Sequence, residues 1–254
     1  MASGVVVRRD QAGEGVVDVV LDWPETRNAV GPDEADQLGA ALAEAASGDA
    51  RCVVVRSEGR AFCAGGNLRS VLALVEVGEE ALRERLYASF QGLFRALHEV
   101  PVPVLAAVSG PAIGLGLDLV LACDMRYFGL GAWVRQGWSS LGLIPATGGL
   151  AYARRVGGPD AAWHLLSAGD RRIQPSELAA WGVGSSVPDA DAEARRAACA
   201  LAAAPRDRIV ATKALVREVD QAAHLRAALD HQVTFLLDPS FREAARRALG
   251  ENGS

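Results

Sequence analysis

The chain has 254 residues, half of them hydrophobic, and a formal net charge of −5. That balance predicts a soluble globular protein with ample core, and the lack of a basic cluster argues against nucleic acid as a partner. No early apolar stretch is long enough for a signal peptide or membrane span. Cys52, Cys63, Cys123 and Cys199 are scattered without C-x-x-C spacing, so reduced, buried thiols in a cytoplasmic protein are expected.

In chain order, Val16 to Asp22 reads as a strand, followed by the loop Trp23 to Asn28. Pro32 and Asp33 start a helix whose apolar positions include Leu38 and Leu42. Cys52 to Val55 is a short buried strand, and Leu68 to Glu99 carries helical periodicity with a break near Gly78. Val102 to Val108 is a second buried strand; a helix then runs through Ala122 and a short strand spans Met125 to Phe128. Beyond about Gly149 helical patterns succeed one another: Pro159 to Ala168, Pro175 to Trp181, Asp191 to Ala203, Arg206 to Val219, Ala222 to Leu236 and Pro239 to Leu249. Strands alternating with helices imply an α/β fold with a parallel sheet.

Two glycine-rich stretches, Ala64-Gly65-Gly66-Asn67-Leu68 and Ser109 to Asp118, carry the most information. Each follows an apolar run and opens a helical pattern. Helix N-termini hold unpaired N–H groups and partial positive charge, and glycine lets a ligand approach the backbone. Two such turns can aim two backbone donors at one oxygen, as stabilising an oxyanion or enolate requires.

The order of these pieces resembles the crotonase family, the enoyl-CoA hydratases and isomerases. Arg60 to Leu68 looks like the first oxyanion-loop motif of that family and Pro103 to Gly116 like the second. Ala122-Cys123-Asp124-Met125-Arg126 and Leu141 to Gly149 follow at the family's spacing. The resemblance implies a crotonase-like spiral of ββα turns, with a core over 1–190 that holds the acyl-CoA site. It also implies a C-terminal helical region over 191–254 that mediates assembly as a homotrimer or dimer of trimers. No cofactor beyond the CoA moiety of the substrate is implied, and no metal. By position, Gly66 and Leu115 match the residues whose N–H groups bind the thioester oxygen. Ala64, Asn67 and Leu68 belong to the same loop. Arg69 aligns with a basic residue near the CoA phosphates, and Arg27 sits beside the Asn28-Ala29 motif of the nucleotide-binding edge; each is otherwise a solvated surface arginine.

The resemblance breaks at the acids. Hydratases of this family set two glutamates about one water, since adding water across a double bond needs one group to take a proton and another to supply one. The first position here is Asp118 and the second is Trp138, whose indole donates a hydrogen bond but exchanges no proton near neutral pH. Asp118, three residues beyond Leu115, reads either as a general base or orienting carboxylate, or as a first-turn acid favoured by the helix dipole. That dipole is expected to lower its pKa. Val134-Arg135 replaces a Phe-Gly pair, so Arg135 is a candidate to bind a carboxylate or polarise a second carbonyl of the substrate, with Ser139 and Ser140 as further polar replacements. Trp138 reads as a wall against the acyl group or as core packing.

The expected activity is therefore an acyl-CoA enzyme that stabilises a thioester enolate and whose two-acid relay is altered. Isomerisation, decarboxylation, C–C or C–N lyase chemistry, or hydration of an unusual substrate all remain open. Two alternatives stand beside it: a biosynthetic enzyme acting on an acyl-carrier-protein thioester, and a non-catalytic CoA-binding subunit. Leu141 stands where a nucleophile elbow needs its closing glycine, and no P-loop or Rossmann fingerprint is present.

Overall fold

Val16–Asp22 forms the strand its apolar run predicts, and the parallel strands that follow extend one sheet from it. The computed structural model describes residues 4–9, 15–138, 141, 143, 145 and 147–217. In chain order the strands are β1 (Gly4–Arg9), β2 (Val16–Asp22), β3 (Cys52–Ser57), β4 (Val104–Val108), β5 (Ala112–Ile113), β6 (Met125–Phe128), β7 (Val134–Arg135) and β8 (Ser185–Ser186). The main sheet runs β1-β2-β3-β4-β6-β8; β1 is antiparallel to β2 and every later pair is parallel. Each new strand adds on the same side, so the order never reverses and the sheet has no switch point of the doubly wound kind. A second, two-stranded sheet pairs β5 with β7 in parallel.

The helices are α1 (Pro32–Ala45), α2 (Leu68–Val77), α3 (Glu79–Ala81), α4 (Ala88–Glu99), α5 (Leu115–Ala122), α6 (Gly149–Ser167), α7 (Pro175–Ala180), α8 (Ala190–Ala202) and α9 (Arg206–Arg217). A π-helical segment, Leu82–Tyr87, joins α3 to α4. Pro32 occupies the first turn of α1, where its missing N–H costs nothing, and the Gly31 N–H donates to Glu34 Oε2 at 2.8 Å. Ala35, Leu38, Leu42 and Ala45 are buried at helical spacing, and that face packs against α4.

Both faces of the sheet are covered. Cys52, Val54, Leu105, Ala107 and Tyr127 join Ala190, Ala194, Ala198 and Ala202 of α8 in one buried cluster. The intervening Val53, Val55, Ala106 and Val108 are buried as well, as a parallel sheet between helical layers requires. The alanine spacing of α8 lets its backbone lie close to the strands. Cys52, Cys63 and Cys123 are buried free thiols, and Cys199 is partly buried.

Three sequence expectations change. The helix expected from Pro159 begins at Gly149 and is interrupted by Gly158, whose φ of 79° and ψ of −179° leave the helical region. Pro159 marks only the restart, because proline at a first helical turn reads as a beginning. The Val102 strand starts at Val104, since Pro103 has no N–H for the ladder. β1 was not expected at all.

Contacts divide the chain into two compact units after Arg206, with α8 in the first and nearly all of α9 in the second. The helices expected over 222–236 and 239–249, and Ser139 and Ser140, lie outside the described residues. Among the described residues no helix is long and apolar enough to cross a membrane.

Candidate active site

The two glycine-rich loops are bound to each other. Cys63 N donates to Pro111 O at 3.1 Å and Ile113 N to Cys63 O at 3.0 Å, which makes a parallel bridge between the motifs. The first loop is also tied back to the residues after β2: Ala64 N donates to Arg27 O, Val30 N to Gly65 O and Asn67 N to Val30 O, at 3.0, 2.8 and 2.8 Å. The second is held by β7, with Ala112 N donating to Trp133 O and Gly114 N to Arg135 O, both at 3.0 Å. Gly65 has φ +102°, and a Cβ there would stand 2.8 Å from Ile113 O, so glycine is required where the loops meet.

The N–H groups of Gly66 and Leu115 are among those this network leaves without an acceptor. Gly66 lies between residues whose hydrogen bonds run to Val30, and Leu115 is the first residue of α5, before any helical acceptor exists. Among the described residues neither N–H donates to a protein acceptor. Both residues line one cavity of about 360 Å³, a size suited to a small ligand. Its other walls come from Leu68, Val71 and Val75 of α2, from Leu82, Leu86 and Tyr87 of the π segment, and from Phe90, Trp138, Leu141 and Leu143. The Trp138 indole leans on the second loop, with Cε2 and Cζ2 3.7 and 3.8 Å from where a Gly114 Cβ would lie.

Asn28 braces the entrance to the first loop from below. It is 1 % exposed, and its side chain accepts from Trp23 N at 2.7 Å and donates to Glu58 O and Ala61 O at 3.0 and 2.9 Å. Asn28 and Arg27 both adopt positive φ, a conformation that asparagine tolerates better than most residues.

Asp118 is 3 % exposed and does not border the cavity. Thr147 Oγ1 donates a short hydrogen bond to Asp118 Oδ2, and Thr147 itself is a cavity residue. The carboxyl lies against the first residue of α6, because a Cβ built at Gly149 would overlap Asp118 Oδ1. Burial pushes its pKa up to about 7, opposed by the Thr147 hydrogen bond. This reverses the sequence expectation of a lowered pKa, because burial is the largest cause of the shift.

The remaining predicted residues separate into two groups. Ala64, Leu68, Arg135 and Trp138 border the cavity with Gly66 and Leu115. Asn67 does not; its side chain caps α2, accepting from Arg69 N at 3.2 Å and Ser70 N at 3.5 Å. Arg69 and Arg27 are exposed and lie off the cavity wall, and Arg27 meets the first loop through its carbonyl. Thr147 was missed by sequence reasoning although its motif was in view, because its partner lies 29 residues away. Among the described residues no group of His, Cys, Asp and Glu could hold a metal ion.

Comparison with known proteins identifies the family and the fold. Residues 11–247 match the family described as Enoyl-CoA hydratase/isomerase. A Rhodobacter capsulatus protein named "Probable enoyl-CoA hydratase" is 37 % identical over 187 residues, covering 73 % of this chain and 70 % of that one. Among solved structures, an enoyl-CoA hydratase from Polaromonas sp. JS666 superposes with a TM-score of 0.86 at 30 % identity, covering 98 % of both chains. A Thermobifida fusca YX protein solved in complex with CoA gives a TM-score of 0.78 at 28 % identity, over 92 % of this chain and 93 % of that one.

Proposed function

The chain belongs to the enoyl-CoA hydratase/isomerase family and is an enzyme of that crotonase-fold type, and on that premise we propose that it binds an acyl-CoA thioester with the carbonyl between the N–H groups of Gly66 and Leu115. The observation that carries the reading is that Gly66 and Leu115, whose N–H groups find no acceptor among the described residues, line one cavity. Negative charge that gathers on the thioester oxygen when the adjacent carbon loses a proton meets fixed dipoles there. Each such donor is worth on the order of 3 kcal/mol in the transition state. The complex of the Thermobifida fusca relative with CoA supports the choice of thioester.

Proton handling falls to Asp118 acting with Thr147. A carboxyl poised near 7 is well matched to taking and returning a proton at neutral pH, and Thr147 links it to the cavity. Trp138 takes the place of a second acid and supplies an apolar wall, so proton transfer beside the carbonyl is favoured over the two-acid addition of water. Arg69 and Arg27 remain candidates for the CoA phosphates outside the cavity. Assembly as a trimer or dimer of trimers and a cytoplasmic setting belong to the same reading.

Exchange of α-protons of saturated acyl-CoA thioesters with D2O, followed by NMR, tests the proposal without knowledge of the natural acyl group. Leu115→Pro removes one donor at a first helical turn, where proline is tolerated. Exchange is expected in the wild type and a loss of about 100-fold or more in the variant. Bound CoA without exchange or turnover of any saturated or 2-enoyl thioester, or a Leu115→Pro variant as active as the wild type, overturns it.

A further inference from the structure

We infer that the acyl group carries a second carboxylate and that Arg135 binds it; the inference rests on the thioester reading above. Arg135 is the charged side chain among the described residues that line the cavity, whose remaining walls are almost entirely apolar. Its Nε is buried without a hydrogen-bond partner, and among the described residues the side chain makes no hydrogen bond or ion pair. Two other partly buried arginines are satisfied: Arg56 pairs with Asp18 and Glu58, and Arg126 donates to Val183 O and Cys123 O. Arg135 is partly buried, and its fork of donors suits an anion that the described protein does not supply.

The location says which part of a ligand brings that anion. Arg135 is the last residue of β7, pairs with Ile113 and accepts the Gly114 N–H, one residue before the Leu115 donor. The phosphates of CoA are separated from the thioester by the pantetheine arm, so an anion beside this loop belongs to the acyl portion. A planar fork of donors suits a carboxylate, which it can engage through two parallel hydrogen bonds. A neutral hydrocarbon chain would leave the cation desolvated beside apolar atoms.

Calorimetric titration of the whole protein with matched pairs of saturated thioesters tests this: malonyl- against propionyl-CoA, succinyl- against butyryl-CoA, and glutaryl- against pentanoyl-CoA. The methyl hemiester of succinyl-CoA is a neutral control of similar shape. At least one acid is expected to bind about tenfold or more tighter than its neutral partner, the margin of a charge-assisted hydrogen bond. In Arg135→Ala that ratio falls to near one, and Arg135→Lys recovers part of it. Equal binding within all three pairs, a preference that survives in Arg135→Ala, a hemiester as tight as the acid, or an equal loss of affinity for free CoA each overturns the inference. Neutral thioesters that bind while the acids gain nothing leave the thioester reading standing; failure of every thioester and of CoA removes both.

Discussion

Replacing Asp118 by Asn measures how strongly burial acts at the centre of this site. The amide keeps the shape of the carboxyl and an oxygen for Thr147 while removing the ionisable proton. In the folded wild type burial holds the carboxyl at about 7 against an ordinary 3.8. Between those values the folded chain retains a proton that the unfolded chain has released. Stability is therefore highest below about pH 4 as far as this group is concerned, and it is lost progressively as pH rises to about 7, levelling off above. The whole interval corresponds to about 4 kcal/mol, of which roughly 2–3 kcal/mol falls between pH 5 and pH 8. Urea unfolding of both proteins at those two pH values, at one protein concentration, isolates the group because all other titrations cancel in the difference. Asp118→Asn is expected to gain about 2–3 kcal/mol on the wild type in going from pH 5 to pH 8. Parallel pH profiles for the two proteins would refute the argument, since a carboxylate ionised in both folded and unfolded states contributes no such slope.

Two further substitutions address the loops. Asn28→Ala leaves Trp23 N and the carbonyls of Glu58 and Ala61 without their partner, and a loss of at least about 2 kcal/mol is expected in chemical denaturation; below about 1 kcal/mol, the bracing role fails. Gly65→Ala forces a Cβ towards Ile113 O at positive φ, so about 1–3 kcal/mol of stability and most thioester turnover are expected to be lost; a variant equal to the wild type in melting temperature and turnover shows that the loops need not interlock.

Much of the sheet was legible because its strands are apolar runs bounded by turn residues, as in Val16–Asp22 and Met125–Phe128. β1 was not, because an edge strand with partly exposed residues throughout shows no buried run. β5 and β7 are two residues each, too short for any periodicity, yet they bring Arg135 to the second loop. The π segment left no signal distinct from an ordinary helix, although Leu82, Leu86 and Tyr87 reach the cavity from it. The pKa of Asp118 was misjudged for a related reason. Its place in the first turn of α5 is local and readable, whereas the burial that raises its pKa depends on Gly149, from a later part of the chain.

That division between local and distant follows from which atoms do which work. The donor positions at 66 and 115 are set by main-chain bonds to Val30, Cys63 and β7, and the Leu115 side chain packs away, 0 % exposed. Motifs that encode backbone shape therefore survive in sequence and can be read there. Polar and aromatic side chains at the cavity near the second loop include Arg135 of β7, Trp138 after it and Thr147 just before α6. Trp138 brings no exchangeable proton near neutrality and Arg135 no loss of charge, so neither can serve as an acid or base. On the proposed reading, proton transfer falls to Asp118 and the Thr147 hydroxyl bonded to it. One carboxyl can return to the substrate the proton it removes, whereas adding water in a single step calls for a second group that neither Trp138 nor Arg135 supplies.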